Sequence, residues 1–360
     1  MKILFLITGL RLGGAEQQLL LLCQSLQKNG FEVSVAAMET GGILKQEFLD
    51  NGIPVNELGI KGLSSLFAGY RKFASLVKRI KPAVIHAHMI HANFLASIYK
   101  FFNGRNRLVI TAHNITEGNK ILMAGYRLIK LIPDWATHVS LEAYESYIAN
   151  NYFQQKRSSH IPNAIDMALF NPENFNKNSI RKAMGFGEDV FIFLAAGRLH
   201  HQKNFGLLIN AFQQMKPGGN ALLLIAGEGP LEQGLRQLCA RLNVEDVVYF
   251  LGRRRDMPSL FAVSDCFVLS SDFEGFGLVV AEAMAMKKQV IATDCGGVKE
   301  VSGGLGTLVE VNNLHGMVAA LKFARKNKVL KKQEQMRIHI EKSYAIEKVV
   351  KQWQKLYYSL

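Results

Sequence analysis

Two short stretches in the second half of the chain carry the residue types most suited to chemistry. In residues 271–285, Glu274 and Glu282 stand with seven residues between them. The apolar run 265–269 precedes them and reads as a buried strand. Helix formers follow from Leu278 to Met286. Between strand and helix, Glu274-Gly275-Phe276-Gly277 reads as a tight turn whose glycines let backbone approach a ligand closely. The free N–H groups of Gly275 to Leu278 at the helix start favour an anion, whereas carboxylates are good acceptors for sugar hydroxyls. Amides for phosphate beside carboxylates for hydroxyls describe a site for a nucleotide sugar. The second stretch is 197–204, where Arg198 and Lys203 sit between another strand and another helix. A guanidinium fork and an ammonium point charge at that spacing can clamp a diphosphate. Plainer readings fit the same residues. A strand, a Gly-rich turn and a helix with one acid are common in α/β proteins, and two cations in a turn can simply be solvated.

Both stretches need a scaffold that ends strands at one edge. The chain supplies it by alternating apolar runs with amphipathic segments, the mark of parallel α/β sheets. In the first half, strands are expected at 2–7, 31–37, 83–87, 108–112 and 136–140. The pattern restarts at 190–196 and continues through 221–226, 247–251, 265–269 and 289–292. A length of 360 residues is a prior for two domains. We place them at 1–166 and 179–342, with a linker at 167–178 and a final amphipathic helix from 343 to the end. That helix carries Ile346, Val349, Val350, Trp353, Leu356 and Tyr357 on one broad face.

The first half holds further candidates. Gly9, Gly13 and Gly14 follow the first strand but do not fit G-x-G-x-x-G, which argues against NAD despite Glu39 near the end of the second strand. Gly13-Gly14-Ala15-Glu16 reads either as a ligand loop or as a plain strand–helix turn with an acid favoured in the first turn. His86, His88 and His91 cluster without a neighbouring carboxylate or Cys, so they read as histidines at a polar cleft edge rather than metal ligands. His113 ends the next strand, either to donate from a neutral ring to a sugar hydroxyl or to serve the fold.

Composition narrows the class. Hydrophobic residues make up 49% and charged residues 20%, the profile of a soluble globular protein. No apolar run reaches the ~18 residues of a spanning helix. Arg11 interrupts the early run and no small-residue cleavage site follows, so it reads as a strand rather than a signal segment. The four cysteines have neither disulfide nor zinc spacing, which fits a reducing cytoplasm. The net charge of +14 is spread over the chain: residues 1–164 hold 18 Lys+Arg against 10 Asp+Glu. Anionic substrate and anionic membrane are compatible partners. Nucleic acid is not expected, because no motif or basic-aromatic ladder for it is present.

Four motifs stand in order: Gly13-Gly14-Ala15-Glu16, Pro162-Asn163-Ala164-Ile165-Asp166, Gly197-Arg198 with Lys203, and Glu274 with Glu282. Together they resemble the retaining glycosyltransferases of family 4, the glycosyl transferases group 1. Ala164 replaces that family's Gly, a departure that touches only local turn geometry. The resemblance implies the GT-B fold: two facing Rossmann-like doubly wound domains, an interdomain cleft and a last helix that crosses back to the first domain. It implies catalytic roles for Arg198, Lys203, Glu274 and His113. It implies donor contacts by Gly13, Gly14, Glu16, Gly197, Gly227, Gly229, Arg253, Gly275, Phe276, Gly277, Leu278 and Glu282. Glu274 would contact hydroxyls of the donor sugar and Glu282 the ribose. A nucleotide-diphosphate sugar, expected as a UDP-sugar, would be the donor, a glycan or lipid-linked molecule the acceptor, and neither cofactor nor metal would be required. A nucleotide-sugar epimerase of the same fold and a silent nucleotide-sugar binding protein stay open beside it. Residues 61–81 and 120–130 add helical apolar stripes ringed by cations. They either pack on the core with a solvated outer face or rest weakly on the inner face of an anionic cytoplasmic membrane.

Overall fold

The computed structural model describes residues 1–327 and 330–360. The chain divides into two compact units, residues 1–164 with 346–360, and residues 165–345.

The first unit is built on seven parallel strands: β1 (Lys2–Ile7), β2 (Glu32–Ala37), β3 (Val55–Glu57), β4 (Val84–His88), β5 (Arg107–Ala112), β6 (Trp135–His138) and β7 (Ser158–His160). Their order across the sheet is β3-β2-β1-β4-β5-β6-β7. The central strands β1, β4 and β5 are buried on both faces because helices cover both, and β1 reads as a continuous apolar run rather than an alternation. Helix Gly14–Lys28 buries Leu19, Leu22, Cys23 and Leu26, a stripe at helical spacing. The last helix, Ile346–Ser359, buries Ile346, Val349, Val350, Trp353, Leu356 and Tyr357, the face its sequence marks. These side chains join the same core cluster as Leu19, Leu22 and Cys23, so the C-terminal helix belongs to the first unit although it follows the second.

The second unit holds six parallel strands: β8 (Phe191–Ala196), β9 (Ala221–Ala226), β10 (Val248–Phe250), β11 (Cys266–Leu269), β12 (Gln289–Thr293) and β13 (Thr307–Val309). Their order is β10-β9-β8-β11-β12-β13. Both sheets are doubly wound, and each reverses direction once, between β1 and β4 and between β8 and β11. Ligands of such sheets bind outside the carboxyl ends of the strands at the reversal. Strands β3 and β13 have three residues each, too short for a periodic signal. Residues 167–178 contain the turn Pro172–Asn174 and the start of helix Lys177–Ala183, capped by the Asn176 side chain, which accepts from Ser179 N–H.

Candidate active site

The reversal of the second sheet brings the two chemical stretches together. Arg198 and Lys203 follow β8, and Glu274 follows β11, the strand that pairs with β8. The Lys203 ammonium lies 2.6 Å from Glu274 Oε1. The Ser271 hydroxyl donates to that same oxygen at 2.6 Å. Both members of the ion pair are largely withdrawn from solvent, with side-chain exposures of 17% and 10%. Arg198 is the opposite case. It is exposed, and its guanidinium has no ion-pair or hydrogen-bond partner among the described residues.

The two loops are also sewn to each other by hydrogen bonds outside the ion pair. Asp272 N–H donates to Gln202 O at 2.8 Å, and the Gln202 amide donates to Phe273 O at 2.8 Å. Ser270 donates to Lys203 O, and Asn204 donates to Asp272 Oδ1 and Asn312 Oδ1. Asn204 also caps helix Phe205–Gln214 by accepting from Leu207 N–H. Gln202, Asn204 and Ser270 do not stand out as reactive groups, because their side chains serve to hold neighbouring loop atoms. Only the N-cap position of Asn204 leaves a trace in sequence.

The Glu274 turn needs two glycines for different reasons. Gly277 is the N-cap of helix Leu278–Ala285 and has φ 86°, which L side chains rarely adopt. Gly296, after β12, has φ 54°, and a Cβ there would strike the Glu274 carbonyl oxygen. Gly296 is thus the floor under Glu274. Gly197 lies under the Lys203 side chain, while Gly227 and Gly229 lie against the backbone carbonyls of Gly197 and Leu199. Arg253 follows β10 and pairs with Glu228. Phe276 is buried, with its ring edge-on to Tyr344. Glu282 is only partly accessible and has no hydrogen-bond or ion-pair partner among the described residues. Burial pushes its carboxyl up to about 8. A recessed acid with nothing bonded to it has its donor and acceptor capacity free for a ligand.

In the first unit, Gly13 and Gly14 start helix Gly14–Lys28, and Glu16 is buried in its first turn with its carboxylate folded over Gly13. Burial raises the Glu16 carboxyl above its ordinary range. Glu39, placed where a dinucleotide site would hold ribose, is instead paired with Arg11 at 2.8 Å. His113, just beyond β5, is buried, and burial lowers its ring to about 4, so it is neutral at pH 7. Its turn is pinned by Glu117, which accepts from His113 N–H at 2.6 Å and from the Tyr126 hydroxyl at 2.8 Å. His86 and His88 do not lie at a cleft edge. Both are wholly enclosed, with His86 bonded to Tyr357 and Thr111 at 2.7 Å each. Alternation along β4 turns Ile85 and Ala87 toward one core and the two imidazoles toward the other face, under the last helix.

Residues 12–169 match the family described as Glycosyltransferase Family 4, and residues 176–343 match the family described as Glycosyl transferases group 1. The chain belongs to this glycosyltransferase family. The glycosyltransferase is 26% identical over 343 residues to the UDP-Gal:alpha-D-GlcNAc-diphosphoundecaprenol alpha-1,3-galactosyltransferase of Escherichia coli, across 89% of this chain and 86% of that protein. It is 27% identical over 303 residues to the N-acetyl-alpha-D-glucosaminyl L-malate synthase of Bacillus anthracis, across 80% and 78% of the two chains. Among solved structures, Anabaena HepE in complex with UDP and glucose matches it with a TM-score of 0.89 at 22% identity over 100% of both chains. Two doubly wound parallel units and that likeness give this glycosyltransferase the GT-B fold.

Proposed function

We propose that this glycosyltransferase moves a hexose-type sugar from a UDP-sugar to a glycan or lipid-linked acceptor with retention of configuration. The observation that carries the reading is the Lys203–Glu274 pair at the β8/β11 reversal, with Arg198, unpaired among the described residues, on the same loop as Lys203. As the bond from the sugar to the β-phosphate breaks, negative charge grows on the departing nucleotide. Arg198, Lys203 and the amides of Gly275 to Leu278 stabilise that charge. Glu274 holds donor-sugar hydroxyls, Glu282 the ribose, and His113 donates to the transferred sugar. Retention follows from front-face attack: the acceptor oxygen bonds to the anomeric carbon on the face the phosphate leaves, and the phosphate oxygen takes the acceptor proton. No enzyme nucleophile is then required. Two side-chain cations and a row of amides supply the leaving-group charge, so transfer is expected to continue in the presence of a chelator. UDP is the favoured nucleotide because the Escherichia coli relative is named for UDP-Gal and Anabaena HepE is described with UDP.

The test is to incubate the protein with UDP- and GDP-sugars, with and without acceptors that include lipid-diphosphate-linked sugars. Acceptor-dependent release of UDP and an α-linked product from an α-donor are expected. Epimerised sugar nucleotide without acceptor would replace the proposal with an epimerase. Tight binding without turnover of any donor would leave a silent binding protein.

The membrane is the expected location of the acceptor, and the first unit has a face suited to it. Between residues 58 and 133 the chain holds 12 Lys+Arg and a single acid, Glu117, whose carboxylate is occupied internally. Helices Leu63–Ile80, Ile90–Asn103 and Lys120–Ile129 neighbour one another in turn. The stripe on the first of them splits in two. Phe73, Leu76 and Val77 face the core, while Leu63 and Phe67 point outward at 90% and 73% exposure. Ile121 and Leu128 are exposed to 84% each, and Phe101, Phe102 and Leu131 are also exposed. No described helix is long and apolar enough to cross a membrane. Apolar side chains among cations favour an interfacial contact, with about 1 kcal/mol for each basic group near an anionic leaflet. Co-sedimentation with vesicles containing phosphatidylglycerol is expected, and it should fall with added salt. Gln at Arg71, Lys72, Lys78 and Arg79, all exposed, should weaken it at least about tenfold. Failure to bind such vesicles at low salt would remove the membrane from the proposal and favour a soluble acceptor.

A further inference from the structure

His88 makes a contact whose geometry bears on how His113 is used. Its Nδ1 lies 3.0 Å from His113 Nε2, and the two rings are tilted by 35° at a centroid separation of 5.2 Å. The other nitrogen of His88, Nε2, is buried with no hydrogen-bond partner among the described residues. Nδ1 of His113 is bonded to no described group and is not fully sealed from solvent, so it is the nitrogen that stays accessible. Both rings are neutral at pH 7, because burial holds His88 well below the ordinary imidazole range and His113 at about 4. Each therefore carries one proton, and the shared contact admits two arrangements.

If His113 donated from Nε2, the proton of His88 would sit on Nε2, a buried donor with no acceptor. If His88 donates from Nδ1, its Nε2 is left as a buried lone pair. Orphaned N–H groups are the rarer defect in folded proteins, so the second arrangement is favoured. It has a consequence one ring further on. With Nε2 of His113 accepting, the proton of His113 must reside on Nδ1, the accessible atom. A neutral imidazole can donate to a sugar hydroxyl only from the nitrogen that holds its proton.

We propose that His88 is a positioning residue that fixes the tautomer of His113, holding its single ring proton on Nδ1 so that the ring presents a donor to the transferred sugar. This rests on the reading that His113 touches that sugar. The neighbouring groups support a fixed geometry. His86, 4.1 Å from the His88 ring centre, is itself held by Tyr357 and Thr111, and Glu117 fixes the backbone of His113.

A long-range proton–nitrogen correlation spectrum of the imidazoles tests the tautomer directly, with His113→Gln identifying the His113 signals. The wild-type protein at pH 7 is expected to show His113 protonated on Nδ1. In His88→Phe that preference should be lost, with turnover falling about tenfold or more and affinity for free UDP unchanged. His88→Asn places an amide donor close to the original Nδ1–H. It should restore the Nδ1 tautomer and bring turnover back to within a few-fold of wild type. His113 protonated on Nε2 in the wild-type protein would overturn the proposal, and that measurement needs no variant of His88 to fold. An unchanged tautomer in His88→Phe would overturn it as well. A lost tautomer with undiminished turnover would separate the two layers, sinking the placement of His113 at the sugar and with it the positioning role.

Discussion

Arg198→Ala is expected to lower turnover roughly a hundredfold and leave the thermal midpoint unchanged, whereas Lys203→Ala is expected to lower both. Loss of one group aimed at developing charge costs on the order of 3 kcal/mol in the transition state, so each substitution should act on the rate. The stability effects differ because the surroundings differ. The Arg198 guanidinium is exposed and bonded to nothing described, so its removal breaks no contact. Lys203 is the ion-pair partner of Glu274 at 2.6 Å, in a place both side chains share away from water. Its removal strands a carboxylate that, among the described residues, only Ser271 still serves. Breaking a buried pair from one side is strongly destabilising, by about 3–5 kcal/mol when burial is complete and less where water reaches the group, as here. Lys203→Ala with Glu274→Gln should therefore regain midpoint without regaining rate. Turnover and thermal melts on the four proteins check this. Near-normal turnover in Arg198→Ala would remove the diphosphate clamp from the mechanism.

That contrast shows what could be read from the sequence. The cation spacing and the strand–turn–helix pattern place Arg198, Lys203 and Glu274 beyond strand ends, and Glu282 in the helix that follows, because charge type and hydrophobic period are local properties. The alternation of strands and helices gives the two doubly wound sheets for the same reason, and Ile346 to Tyr357 show their buried face through helical period alone. Which cation is paired is not local. The Lys203–Glu274 contact joins residues 71 apart, through the pairing of β8 with β11. Gly296 under Glu274 and Gln202 across from Phe273 are invisible for the same reason, since each acts on a backbone atom of a distant loop. The histidines of β4 show the other limit. A strand of Val84-Ile85-His86-Ala87-His88 alternates, but alternation does not say which face a later helix will cover. Trp353 and Tyr357 cover the imidazoles and turn a polar edge into a buried network.

Glu282 leads to the second large effect, one that depends on pH. In the ligand-free protein its carboxyl titrates near 8 because burial disfavours the charge, against about 4.5 for an ordinary glutamate. Between those two values the folded state binds a proton that the unfolded chain has released. Stability must therefore fall as pH rises through that window, and the loss is complete above about 8. Glu282→Gln removes the titration. Its thermal midpoint should match wild type near pH 4.5 and exceed it by a margin that grows to pH 8.5, on the order of a few degrees. A constant difference between the two proteins over that range would show that Glu282 titrates normally. Ligand binding separates the two carboxylates. If Glu282 serves the ribose, Glu282→Ala should weaken UDP and UDP-sugar alike, by about tenfold or more. Glu274→Ala should weaken only the sugar-bearing ligand. Free UDP should bind it as well as before, or better, because Lys203 loses its carboxylate partner and keeps its full charge for the diphosphate. Calorimetry with both ligands on both variants decides, and equal losses of UDP and UDP-sugar in Glu274→Ala would contradict this division of roles.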